Sequence, residues 1–126
     1  MKITIHDQRK IHEIQKEFSQ VFPSLKICFF AEPEKSGNEK HNKILVHHLK
    51  SISVCRKMHT KGELTISPEM TIAELKKGLN DTFGLSVQVY HKIGDNWLET
   101  ASDAWTLEHH NAKASELNAE NTLERI

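Results

Sequence analysis

The 126-residue sequence has only two cysteines, three prolines, five glycines and one tyrosine, and it has no formal net charge, with 17 Lys and Arg against 17 Asp and Glu. Two cysteines without framework spacing exclude a disulfide scaffold; they fit free thiols in a reducing compartment, and a cytoplasmic setting is expected. Balanced charge argues against a generally basic binder of nucleic acid or anionic membrane. No apolar run approaches the roughly 18 residues of a spanning helix. The start, Met1-Lys2-Ile3-Thr4-Ile5-His6, has no apolar signal core, so neither membrane insertion nor secretion is expected. The glycines at 37, 62, 78, 84 and 94 are scattered, with no GxGxxG and no Gly-Lys-Ser/Thr to cradle phosphate. No GxSxG elbow exists, and His12-Glu13 continues as Ile14-Gln15-Lys16, without the second histidine of a zinc protease motif. The expectation is a non-enzymatic protein without a cofactor or a bound metal.

The chain does contain a repeat. Ile3-Thr4-Ile5 returns as Leu64-Thr65-Ile66 at an offset of 61, and Ile11, Ile14, Phe18 and Phe22 return as Ile72, Leu75, Leu79 and Phe83 at the same offset. Leu25, Ile27 and Phe29 then match Leu85, Val87 and Val89 at an offset of 60. A shared offset across three elements reads as a duplicated strand–helix–strand unit, residues 2–30 and 63–91.

The hydrophobic periods agree. Ile11, Ile14, Phe18, Val21 and Phe22 fall at helical spacing, as do Ile72, Leu75, Leu79 and Phe83. Thr71-Ile72-Ala73-Glu74 is a capping-box pattern; the first copy has Lys10 at that place, so Asp7 is its expected cap. Pro23 and Gly84 stop the two helices at equivalent points. Leu25, Ile27 and Phe29, and again Leu85, Val87 and Val89, alternate as strands. Gly94-Asp95-Asn96 turns the chain into a short strand at Trp97-Leu98-Glu99. Residues 32–42 read as a mobile linker loop, rich in Pro, Gly, Ser, Asn and charge. Ile52-Ser53-Val54-Cys55 alternates as a strand, with Glu63 to Ile66 as its hairpin partner. Residues 1–111 are expected as one α+β domain, a mixed sheet with two helices on one face, and 112–126 as a tail, a frayed helix or disordered.

From Ile52 onward the order is hairpin, capped helix, strand, short strand and a late Trp105-Thr106-Leu107. It resembles the ubiquitin-like β-grasp over Ile52–Arg56, Glu63–Ile66, Thr71–Phe83 and Leu85–Lys92, with Thr106-Leu107 at the late turn. The resemblance implies that fold for about residues 52–111, with the first copy supplying the missing sheet partner. It implies no modifier role, because the chain ends Leu123-Glu124-Arg125-Ile126 without a terminal glycine pair. The ferredoxin-like fold, itself a doubled βαβ unit, is the alternative. The full pattern, including Thr71-Ile72-Ala73-Glu74-Leu75 and Trp97-Leu98-Glu99-Thr100, also resembles small bacterial proteins to which no activity attaches.

Three sets of residues carry the functional expectations. Phe30, Tyr90, Trp97 and Trp105 are the expected contacts of an unknown protein partner, bound through an open sheet face or an edge strand. Lys50, Arg56, Lys57 and Lys61 crowd around the expected hairpin and give a nucleic-acid alternative. The basic first 63 residues (12 Lys and Arg, 7 Asp and Glu) and the acidic remainder (5 against 10) equally permit attraction between the halves. Third, Cys55 lies beside Arg56, Lys57 and Lys61, which would lower its pKa, with His59 as the local base of a thiol-dependent enzyme. His47, His48, Cys55 and His59 lie close in sequence but lack a pair-plus-pair zinc spacing.

Overall fold

The computed structural model describes residues 1–31 and 43–124, with side chains described as far as Asn118. The expected linker loop, 32–42, lies outside the described residues. The elements run β1 (Lys2–Ile5), α1 (Ile11–Val21), β2 (Leu25–Ala31), β3 (Ile44–Leu45), a 3-10 helix (Ile52–Cys55), β4 (Gly62–Thr65), α2 (Ile72–Phe83), β5 (Ser86–Ile93), β6 (Asn96–Glu99) and α3 (Leu107–Glu124). The class is α+β.

The strands form two sheets, β1-β4 and β3-β2-β5-β6, and every pairing between them is antiparallel. This corrects the expectation of one mixed sheet, because the two strands flanking each of α1 and α2 part company and join different sheets. The ferredoxin-like alternative, with all four of those strands in one sheet, fails for the same reason. The hairpin is also corrected. Val54 N–H bonds the Ser51 carbonyl at 3.3 Å, and Ile52 and Cys55 point inward three residues apart while Val54 is 53% exposed. That spacing is helical, and β4 pairs with β1 instead, with Ile3 opposite Leu64. The hairpin that carries the β-grasp resemblance is therefore not formed.

Both helices obey their stop signals. Thr71 Oγ1 accepts the Glu74 N–H at 3.1 Å, and the Glu74 carboxylate accepts the Thr71 N–H at 3.3 Å. Gly84 closes α2 in the left-handed conformation, φ 64°, with its N–H on the Asn80 carbonyl. At α1 the cap is Lys10 rather than Asp7: its N–H donates to the Glu13 carboxylate at 2.8 Å, while Asp7 is engaged elsewhere. Val21 is 44% exposed, so the buried stripe of α1 is Ile11, Ile14 and Phe18, with Phe22 buried beyond the helix end.

The two helix starts are held in the same way. At α1, Lys10 bridges Ser51, and the N–H groups of Ile11 and His12 donate to the carbonyls of Lys50 and His48. At α2, Thr71 bridges Thr106, and the N–H groups of Ile72 and Ala73 donate to Trp105 and Asp103. The bond from Ile52 N–H to the Arg9 carbonyl is matched by that from Leu107 N–H to Met70, each 2.9 Å. The turns before the 3-10 helix and before α3 thus satisfy the orphan donors that begin α1 and α2.

One core unites both sheets. Ile11, Ile14 and Phe18 of α1, Ile72, Leu75 and Leu79 of α2, and Leu107 of α3 are buried with Ile27, Phe29, Val87 and Val89 in a single cluster. Of the two alternatives for the C-terminal segment the helix is found, over Leu107–Glu124, and the boundary expected at residue 111 falls inside α3. Its few apolar residues suggested disorder, but polar clamps dock it. Asn111 Oδ1 accepts the Ser24 N–H, and Asn118 accepts the Gly94 N–H and donates to the Lys92 carbonyl, each at 2.8 Å.

Candidate functional site

Strand alternation sorts β2 and β5 into two faces. Leu25, Ile27, Phe29, Leu85, Val87 and Val89 point to the helices and are buried. Lys26, Cys28, Phe30, Ser86, Gln88 and Tyr90 point away, paired as Lys26 with Tyr90, Cys28 with Gln88 and Phe30 with Ser86. On β6, Glu99 lies opposite Tyr90 and Trp97 opposite Lys92, extending this outer face. All three helices bury their apolar residues on the other side.

The outer face has relief and charge. Phe30, Gln88 and Tyr90 are half-buried around a shallow hollow of about 280 Å³, with Lys43, Lys76 and Glu99 at its margins. The Gln88 carboxamide hydrogen-bonds the Glu99 carboxylate. The Lys26 ammonium stands 5.7 Å from the Trp97 ring centroid, within cation–π range. Cys28 sits at the centre of the face, 8% exposed, where burial raises its thiol pKa against the opposing pull of Lys26. Burial, Cys28 and Glu99 together raise the Tyr90 phenol, keeping it a neutral donor at physiological pH.

Among the described residues β6 is the edge strand beside this face, with no further strand paired to it. Thr100 N–H bonds the Val89 carbonyl at 3.1 Å, so by alternation Asn96 and Leu98 turn their backbone groups to β5 while Trp97 and Glu99 turn theirs outward. Trp97 is 38% and Leu98 50% exposed, giving β6 apolar side chains on both faces.

The structure therefore brings Phe30, Tyr90 and Trp97 to one face, and leaves Trp105 elsewhere. Trp105 lies before α3, its ring 4.4 Å from His109 and 5.0 Å from His110. His110 is buried and its Nε2 meets the Ser102 carbonyl at 2.7 Å; its ring edge faces His91 at 6.5 Å. This cluster was missed in the sequence, where His91 and His110 are 19 positions apart (110 − 91) and only the strand–helix packing joins them.

Burial, and then His110, depress the His91 pKa from its ordinary 6.5. The folded state resists the proton that the unfolded chain accepts, so this contribution is neutral at high pH and turns destabilising as pH falls below about 6.5 toward the depressed value. Between about pH 7 and pH 5, the wild type should lose more stability to urea than His91→Asn. Parallel loss in the two proteins would show that His91 titrates normally.

The basic set is divided. Lys50, Lys57 and Lys61 are exposed, but Arg56 is buried and holds Asp7 and two carbonyls, so its guanidinium is withdrawn from any phosphate. The lowered thiol pKa expected at Cys55 is not found either. Burial pushes Cys55 up to about 11, outweighing the pull of Arg56, and the thiol stays protonated. His59 is not its base: His59 Nδ1 lies 2.7 Å from Asp7 Oδ2. His47 stacks on His48, whose ring edge faces His12, and among the described residues no group of three or more His, Cys, Asp or Glu could hold a metal ion.

A second depression, a cleft of about 400 Å³, lies beside the 3-10 helix, between Ala31, Val54, Cys55, Met58 and Gly84. No helix among the described residues is long and apolar enough to cross a membrane. No family model, no curated protein and no solved structure matches the chain.

Proposed function

We propose that the protein is a non-enzymatic interaction module that binds a protein partner on the outer face of the four-stranded sheet, through Phe30, Tyr90 and Trp97, with the β6 edge available for strand addition. The observation that carries this reading is the asymmetry of the sheet: among the described residues three helices pack on one face, and none on the face that presents these aromatics. Aromatic side chains bury large areas at low entropic cost, and an edge strand offers backbone groups in register with them. The partner is a protein of the same compartment, which the free thiols suggest is the cytoplasm.

The reading is tested by capture from lysate of the source cell in high salt after nuclease treatment. The wild type should retain a stoichiometric protein partner, and Tyr90→Ala with Trp97→Ala should lose it while unfolding within about 1 kcal/mol of wild type. Capture undiminished in the double variant would reject the sheet face. Capture abolished by nuclease alone would assign the binding to nucleic acid instead.

The architecture is read as two copies of a β-α-β-β-helix unit. Supporting this are the sequence offsets, the matched helix starts, and the strand ladders. Ile3 faces Leu64 and Cys28 faces Gln88, each pair being repeat equivalents, as a two-fold axis through both ladders requires. The bond from Val46 N–H to the Phe29 carbonyl likewise corresponds to that from Thr100 N–H to Val89. On this reading the 3-10 helix Ile52–Cys55 is the one-turn counterpart of α3.

A further inference from the structure

We propose, on the two-unit reading above, that the cleft beside the 3-10 helix is a second binding site, which receives a short acidic helix of a partner protein. On the second unit α3 runs on past His110, and Ser24 receives it through Asn111 and Ser115. The counterparts on the first unit are Cys55 for His110, Ala31 for His91 and Gly84 for Ser24, and all three line the cleft. There the helix ends after one turn. Arg56 is extended, φ −142°, and the chain leaves as Arg56-Lys57-Met58. Met58 comes to Gly84 instead, its Cβ 3.1 Å from where a Gly84 Cβ would stand. The cleft is what remains of a helix seat.

Its surface says what fits. Val54 is 53% and Met58 42% exposed, and Ile44, opposite Ala31 in the ladder, is 57% exposed. A volume of about 400 Å³ takes roughly two apolar side chains, the i and i+4 anchors of a helix laid in a groove. The charges are unbalanced. Asp7 is taken by Arg56 and His59, and Asp81 by Lys77, whereas Lys57, which lines the cleft, and Lys61, four positions on in the chain, are exposed and form no ion pair among the described residues. Carboxylates on the flanks of the incoming helix answer these cations.

Two helix-stabilised peptides with the same leucine face, one carrying glutamate and the other lysine at the remaining positions, test the site by amide chemical-shift titration of the full chain. The glutamate peptide should shift Val54, Lys57, Met58, Gly84 and Ser86 saturably. The lysine peptide should bind at least roughly tenfold more weakly, and Lys57→Glu with Lys61→Glu should reverse that order. Absence of saturable shifts at millimolar glutamate peptide would overturn the proposal. Shifts confined to Tyr90 and Trp97 would overturn it too and favour the outer sheet face. Equal binding of both peptides at the cleft would leave the correspondence with the α3 seat standing and reject the acidic occupant.

Discussion

Phe29→Ala is expected to lower the unfolding free energy by about 3–5 kcal/mol, and Phe30→Ala by no more than about 1. The two phenylalanines are neighbours on β2 and chemically identical, so the difference isolates the face each occupies. Phe29 is fully buried, opposite Val87 in the β2·β5 ladder, and its carbonyl accepts the Val46 N–H at 2.9 Å. Truncation there removes a ring from the cluster that joins three helices to the sheet, and the surrounding elements cannot close on the void. Phe30 is only half-buried, on the face that carries no helix among the described residues. Urea unfolding followed by the fluorescence of Trp97 and Trp105 reads both variants. Equal losses would mean that the outer face of the sheet is also core, and the partner surface would lose its basis.

The alternation that separates Phe29 from Phe30 was legible because period two is a property of the chain itself. The helix faces, the Thr71 capping box and the Gly84 stop were legible for the same reason: each is encoded within a few residues. Register was not legible: the repeat offset marks Ile3 and Leu64 as equivalent positions without saying that equivalents pair, and Glu63 to Ile66 read as the partner of Ile52–Cys55 rather than of β1. Ile52–Cys55 was misread because Ile52 and Val54 satisfy a strand pattern as well as Ile52 and Cys55 satisfy a helical turn. Only the contacts with Arg9 and Ser51 decide between them. α3 was left open between a frayed helix and a disordered tail because apolar periodicity is weak there, and its docking depends on Asn111 and Asn118 meeting backbone groups far away in the chain. Of the aromatic set, parity placed Phe30, Tyr90 and Trp97 together, whereas Trp105 lies in a connection whose path no period fixes. The cleft had no local signature at all, because it arises where one unit continues as a helix and the other does not.

Arg56 shows most sharply how a cation read as surface charge becomes part of the interior. Its side chain is fully buried. Nε and Nη2 donate to Asp7 Oδ1 at 3.2 and 2.9 Å, and Nη1 donates to the Thr60 carbonyl at 2.6 Å and the Phe83 carbonyl at 3.1 Å. One guanidinium thus ties the β1–α1 turn to the loop before β4 and to the carbonyl end of α2, where a positive charge also complements the helix dipole. Arg56→Ala should cost about 2–4 kcal/mol, because it strands two carbonyls and leaves Asp7 with His59 as its partner. Arg56→Lys should recover only part of this, since a point charge cannot fork among three acceptors, while Lys57→Ala, on the exposed neighbour, should be near neutral. The acid limb gives a separate signature. At Asp7 burial raises the carboxyl pKa, but the hydrogen bonds from Arg56 and His59 outweigh it and hold the group below its ordinary 3.8. A carboxylate depressed in the folded state contributes stability above the unfolded value, lost as pH falls through the folded one. The wild type should therefore shed this contribution only below about pH 4, and Arg56→Ala, having less of it, should show a shallower acid limb in urea midpoints. An Arg56→Ala protein as stable as wild type at neutral pH would show that the guanidinium is free in solution, and would return it to the exposed basic set with Lys50, Lys57 and Lys61.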